Sequence, residues 1–154
     1  MKLFGHPVHP LLIHFPTALL PMDLGLSILY YTTGNFTYYQ AGAYCLWTGV
    51  LLGLLAVIAG IIDMTAIPRT NKKAVALAVY HGFLNGLLVL IFAIIAWKSW
   101  QASPSHFLAG KMGIILKGIL VLALFVGNFM GGKLIYSHHV GITLNKEANG
   151  DITA

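Results

Sequence analysis

The sequence predicts an all-α protein, an integral membrane four-helix bundle with an up-down-up-down path. Two observations carry this reading. Of 154 residues, 58% are hydrophobic and 8% charged, with a mean hydropathy of +0.81, where a soluble domain carries about 25% charged residues. The chain also holds four apolar stretches, at roughly 11–31, 38–62, 74–97 and 112–137, each near the ~20 residues that cross a bilayer as a helix. Backbone N–H and C=O groups find no water inside lipid, so segments of this length satisfy them internally as helices. One bilayer-embedded domain over 1–139 is therefore expected, with a polar tail over 140–154 that frays.

Helix 1 follows the run Gly5-His6-Pro7-Val8-His9-Pro10-Leu11-Leu12-Ile13-His14-Phe15-Pro16. With one preceding Lys2 and an apolar stretch longer than the ~7–15 residues of a secretory h-region, it does not read as a cleavable signal. A short polar turn, Thr32–Thr37, leads into helix 2. There Gly42, Gly49, Gly53 and Gly60 recur at spacings of seven, four and seven. At about 100° per residue they fall within roughly 40° of one another, as a smooth stripe. Such a stripe serves close helix packing, and it also clears space for a flat cofactor. The second connector, Asp63–Lys73, contains Pro68 and Arg69. Helix 3 carries His81, Gly82, Asn85 and Gly86. The third connector, Lys98–Lys111, contains His106, and helix 4 carries Lys117, Gly127, Asn128 and Gly131 before His138 and His139. No internal repeat is legible by eye.

Several function classes fall away. The single cysteine, Cys45, allows neither an intramolecular disulfide nor a cysteine-based metal motif. The net charge of +5 is spread around apolar segments, which points to membrane topology rather than nucleic acid. No Ser-His-Asp arrangement or phosphate loop is present, so the chain is not expected to act as an enzyme on its own.

Short connectors place the N-terminus, the second connector and the C-terminal tail on one side of the bilayer, here called the near side. Six of the seven histidines then gather in the near leaflet: His6, His9 and His14 at the start of helix 1, His81 two turns into helix 3, and His138 and His139 closing helix 4. Asp63 ends helix 2 on the same side, and His106 alone stays far. The near side also carries Lys2, Arg69, Lys72, Lys73, Lys133 and Lys146, against Lys98, Lys111 and Lys117 on the far side. The positive-inside rule puts both termini in the cytoplasm. Tyr30, Tyr31, Tyr38, Tyr39, Trp97 and Trp100 form an interfacial belt at the far boundary.

Polar side chains within the spans are costly, about 2.5–3.5 kcal/mol for an aspartate near a helix centre. Asn85 lies one turn beyond His81 on the same face, placed to orient its ring or line a pocket. Asn128 is expected to hydrogen-bond between helices. Asp23 meets backbone freed by Pro16 and Pro21 or pairs with Lys117 from the far side. Lys117 itself is read as snorkelling outward to the far interface.

The run His6-Pro7-x-His9-Pro10-x-x-x-His14-Phe15-Pro16-x-x-Leu19-Leu20 resembles the start of a bacterial membrane family, domain of unknown function 2231. Gly60-x-x-Asp63, His81-x-x-x-Asn85 and Gly131-Gly132-x-Leu134-Ile135-Tyr136-x-His138 are similar to its later signatures, so the resemblance covers nearly the whole chain. The chain departs at one position, with His139 where the family pattern has glycine, and His138 is read as the inward ring. The resemblance implies a four-helix membrane fold. Relatives joined to cytochrome-c-like domains imply redox work beside a cytochrome or quinone-linked partner.

The residues admit three chemistries. The first is haem b or a related redox cofactor, with His14 and His81 as axial pair, His138 as alternative partner, Asn85 beside the ring, and Arg69, Lys72 or Lys73 meeting the propionates. With no helix-borne histidine in the far leaflet, a second stacked haem is excluded. The second is a zinc, copper or iron site drawn from His6, His9, His14, His81, His138 and Asp63, stiffened by Pro7, Pro10 and Pro16. The third is proton or solute transport along His14, Asp23 and His81, which four short helices support only as a homo-oligomer. A purely structural anchor for a redox complex stands beside them.

Overall fold

The computed structural model describes residues 2–3, 6–102 and 107–138. Four helices dominate: α1 (Val8–Thr33), α2 (Phe36–Thr65), α3 (Lys72–Ala102) and α4 (Lys111–His138). Ahead of α1, β1 (Lys2–Leu3) and β2 (His6–Pro7) pair antiparallel, with Lys2 opposite Pro7 and Leu3 opposite His6. All four helices are long and apolar enough to cross a membrane. The fold is the all-α membrane bundle that composition predicts. His106, His139 and the tail 140–154 lie outside the described residues.

Each helix runs past its apolar stretch, and at several ends polar groups satisfy the free backbone. Val8, His9 and Pro10 belong to α1, since a proline is tolerated in the first turn, where its missing N–H has no intrahelical partner. At the other end Gly34, at φ 70°, donates its N–H to the Tyr30 carbonyl at 2.8 Å and closes α1 in the left-handed region. Two asparagines start the next helices on that chain: Asn35 Oδ1 accepts from Thr37 N–H at 3.0 Å, and Asn71 Oδ1 accepts from Ala74 N–H at 3.1 Å. Inside α1, Thr17 donates its hydroxyl to the Ile13 carbonyl at 2.7 Å, near the ladder positions that Pro16 and Pro21 interrupt.

The helices form a ring in which α1 touches α2, α2 touches α3, α3 touches α4 and α4 touches α1. Leu20, Leu46, Leu88, Phe92, Val121 and Leu124 fill the middle. The outer faces expose Leu11, Phe83, Leu122, Phe129 and other large apolar side chains, as a lipid-facing surface does. The glycine stripe of α2 receives α1. A Cβ at Gly42 would meet Asp23, one at Gly49 would meet Leu20, one at Gly53 would meet Val89 and Pro16, and one at Gly60 would meet His9.

Burial shows a repeat that residue identity conceals. His81 follows His9 by 72 residues, and at this offset the buried Pro16, Leu20, Asp23 and Ser27 of α1 become Leu88, Phe92, Ile95 and Ser99 of α3, all buried. Gly131 follows Gly60 by 71, and Gly42, Leu46, Gly49, Val50, Gly53 and Ala56 of α2 become Gly113, Lys117, Leu120, Val121, Leu124 and Gly127 of α4, again all buried. Exchanging α1 with α3 and α2 with α4 maps each touching pair of helices onto another touching pair, although α1 packs on α2 far more extensively than α3 on α4. This is the pattern of two hairpins about an axis along the bundle, as in membrane folds built of parallel repeats.

Candidate functional site

The near end of the bundle places two imidazoles in equivalent seats. His9 of α1 brings Nδ1 to 2.8 Å from the Ala56 carbonyl of α2, and its ring lies over Gly60 four residues later. His81 of α3 brings Nδ1 to 2.9 Å from the Gly127 carbonyl of α4, and its ring lies over Gly131, again four residues later. A helical carbonyl keeps a second lone pair after accepting its ladder bond. Glycine one turn on leaves that lone pair open to a ring from the neighbouring helix. A Cβ at Gly60 would stand 3.0 Å from His9 Cε1, and one at Gly131 would stand 2.8 Å from His81 Cε1.

These bonds set the tautomer. A carbonyl oxygen only accepts, so a ring that bonds it through Nδ1 carries a proton there and, in its neutral form, keeps its lone pair on Nε2. Metal-binding histidines are commonly oriented by this backbone bond. The two ring centroids lie 6.3 Å apart with planes at 82°. Asn85 completes the His81 side: its Nδ2 donates to the His81 carbonyl at 2.9 Å and lies 3.2 Å from His81 Nδ1. Its amide fills the space a Cβ at Gly127 would take. The room beside Gly60, Gly127 and Gly131 is thus taken by two imidazoles and an amide.

The other candidate residues are placed as follows. His14 is exposed on the outer face of α1; five residues turn a helix by about 140°, so His9 and His14 do not share a face. The ring beside His81 is therefore His9. Arg69 is exposed in the second connector with Lys72 and Lys73, and Asp63 is half-buried in the last turn of α2. His6 pairs through its backbone in β2, and His138 ends α4, while the side chains of both lie outside the described residues. Among the described residues, no three His, Cys, Asp or Glu side chains converge to hold a metal ion.

A second polar group occupies the far half. Lys117 of α4 points inward, 5% exposed, and its Nζ donates to Asp23 Oδ1 at 2.8 Å and to Ser27 Oγ at 2.9 Å. This corrects the expectation that Lys117 snorkels to the interface; the alternative expectation, that Asp23 pairs with it, holds. Between the two polar ends lies the apolar layer of Leu20, Leu46, Leu88, Phe92, Val121 and Leu124. Asn128 Nδ2 donates to Thr17 Oγ1 at 3.1 Å and joins α4 to α1, the interhelical bond its position predicts.

Sequence reasoning gave His9 no special place among the near-side histidines. The signal that singles it out is its spacing: His9 to Gly60 and His81 to Gly131 span nearly equal lengths of chain, and both glycines fall in the motifs noted above.

The fold defines a multi-pass membrane protein with an imidazole pair toward one end of the bundle and an ion pair toward the other. The sequence profile of the predicted membrane proteins DUF2231 matches residues 5–144, and the chain belongs to that family. No curated protein and no solved structure matches the chain.

Proposed function

We propose that His9 and His81 are paired ligands of a redox metal centre in the near leaflet, a b-type haem, and that the protein carries electrons in the bacterial cytoplasmic membrane. The imidazole pair carries this reading. The two ring centroids lie 6.3 Å apart, a separation at which one metal ion could take a nitrogen from each ring, since metal–nitrogen bonds run about 2.0 Å. Both rings are held by backbone bonds that leave Nε2 as the free donor. Bound haem would supply a one-electron couple, and the chain's part is to hold both rings, exclude water and set the polarity around them. Arg69, Lys72 and Lys73, exposed on the near side, are the cations within the right leaflet for propionates.

Orientation follows from charge. With Lys117 neutralised by Asp23, the far side keeps Lys98 and Lys111 against six near-side cations, so both termini are assigned to the cytoplasm. A centre confined to the near leaflet exchanges electrons with a cytochrome or quinone-linked partner on that side and does not alone span the bilayer.

The test is an absorption spectrum of detergent-purified protein, oxidised and then reduced with dithionite, with elemental analysis of the same sample. A Soret band with reduced α and β bands, lost in His9→Ala and His81→Ala and kept in His14→Ala, is expected. A colourless sample with stoichiometric copper, iron or zinc transfers the pair to a bare metal ion. Neither signal, after haem and metal supplementation during expression, overturns the reading.

A further inference from the structure

We propose that Asp23 Oδ2 binds one water molecule in the far-leaflet cavity, which makes the buried ion pair a hydrated site. Asp23 is 1% exposed and its two oxygens are treated unequally. Oδ1 accepts from Lys117 Nζ at 2.8 Å and lies 3.5 Å from the Ser27 hydroxyl, whereas Oδ2 has no hydrogen-bond partner among the described residues. A buried ion pair repays its desolvation only when the remaining lone pairs are also satisfied. Asp23 lines a cavity of about 10 Å³ together with Ser27, Tyr39, Ser99, Lys117 and apolar side chains. One water needs about 10–15 Å³ and two to four polar neighbours. The site meets both requirements.

The repeat argues that this polarity is a local addition. At offsets of 72 and 71, Asp23 corresponds to Ile95 and Lys117 to Leu46, and both apolar counterparts line the same cavity. Ser27 corresponds to Ser99, so a hydroxyl stands on each side. The aliphatic pair Leu46 and Ile95 thus shares the cavity lining with Asp23, whose Oδ2 is in need of a donor. Water supplies that donor and has a second hydrogen to offer Ser99.

Solid-state NMR of the full chain in lipid vesicles tests this. With ¹³C-labelled aspartate the protein contains three labelled carboxyls, Asp23, Asp63 and Asp151, and Asp23→Asn identifies the buried one. Magnetisation transfer from water protons to the Asp23 carboxyl carbon is expected in the wild type. It should be lost in Ser99→Val, whose added methyls fill the cavity, while the Asp23 carboxyl signal stays at its wild-type position. No transfer in the wild type overturns the proposal, and so does transfer that persists unchanged in Ser99→Val.

Discussion

Lys117 reaches Asp23 at 2.8 Å across the α1–α4 contact, with both side chains almost wholly buried. The pair ties the first helix to the last and closes the ring. Removing one partner of a buried pair strands the other and costs about 3–5 kcal/mol, whereas replacing both with well-packed apolar residues is near neutral or stabilising. The other half of the bundle supplies the replacement, because Ile95 and Leu46 stand at the corresponding positions. Asp23→Ile and Lys117→Leu should each lower the thermal unfolding midpoint of purified protein. The double variant should recover to the wild-type midpoint or above it. A double variant as unstable as the sum of the singles would contradict the equivalence of the two halves.

The glycine seats should be intolerant of a methyl group. Gly131→Ala places a Cβ 2.8 Å from His81 Cε1, and Gly60→Ala places one 3.0 Å from His9 Cε1. Forced overpacking of this kind costs about 1–3 kcal/mol, and each ring must give up its carbonyl to escape. Both variants should lose stability and whatever the imidazole pair binds. Gly82→Ala, with nothing within 4 Å, should do neither when unfolding and spectra are compared side by side.

Asn128→Val removes the amide that donates to Thr17. Interhelical hydrogen bonds in membranes average about 0.6 kcal/mol and reach about 1.7. A small fall in unfolding midpoint is expected, well below that of Lys117→Leu alone, together with unchanged spectra.

Reporter fusions at the C-terminus should read cytoplasmic. Because Lys117 is spent on Asp23, the double variant Asp23→Ile with Lys117→Leu should leave that orientation intact. Neutralising Arg69, Lys72 and Lys73 together should weaken it, seen as a mixed signal from paired cytoplasmic and periplasmic reporters.

Much of this was legible in the chain. Four apolar stretches separated by polar connectors determine four helices, because a backbone in lipid has no partner other than itself. Helix count and direction then gather the histidines at one end and leave Asp23 and Lys117 toward the other. The near-side location of the site, Asn85 as neighbour of His81, and Asn128 as an interhelical donor all follow from periodicity. The pairing of His81 with His9 does not. His14, deeper in the apolar run, reads as the partner from sequence, but which ring turns inward depends on the rotation of α1 against the glycine stripe of α2, a packing property.

What the sequence alone determined is the class, the element order and the end of the bundle at which the helix-borne histidines gather, each set by local hydropathy and chain direction. Tertiary structure decided which polar groups meet. Lys117 can reach interface or carboxylate, and only the approach of α4 to α1, with its buried neighbours, makes Asp23 the nearer counter-charge. Likewise the two halves share few residue identities, and their equivalence becomes visible as a burial pattern. A close-packed apolar core constrains size and position more tightly than it constrains the residue that fills each place.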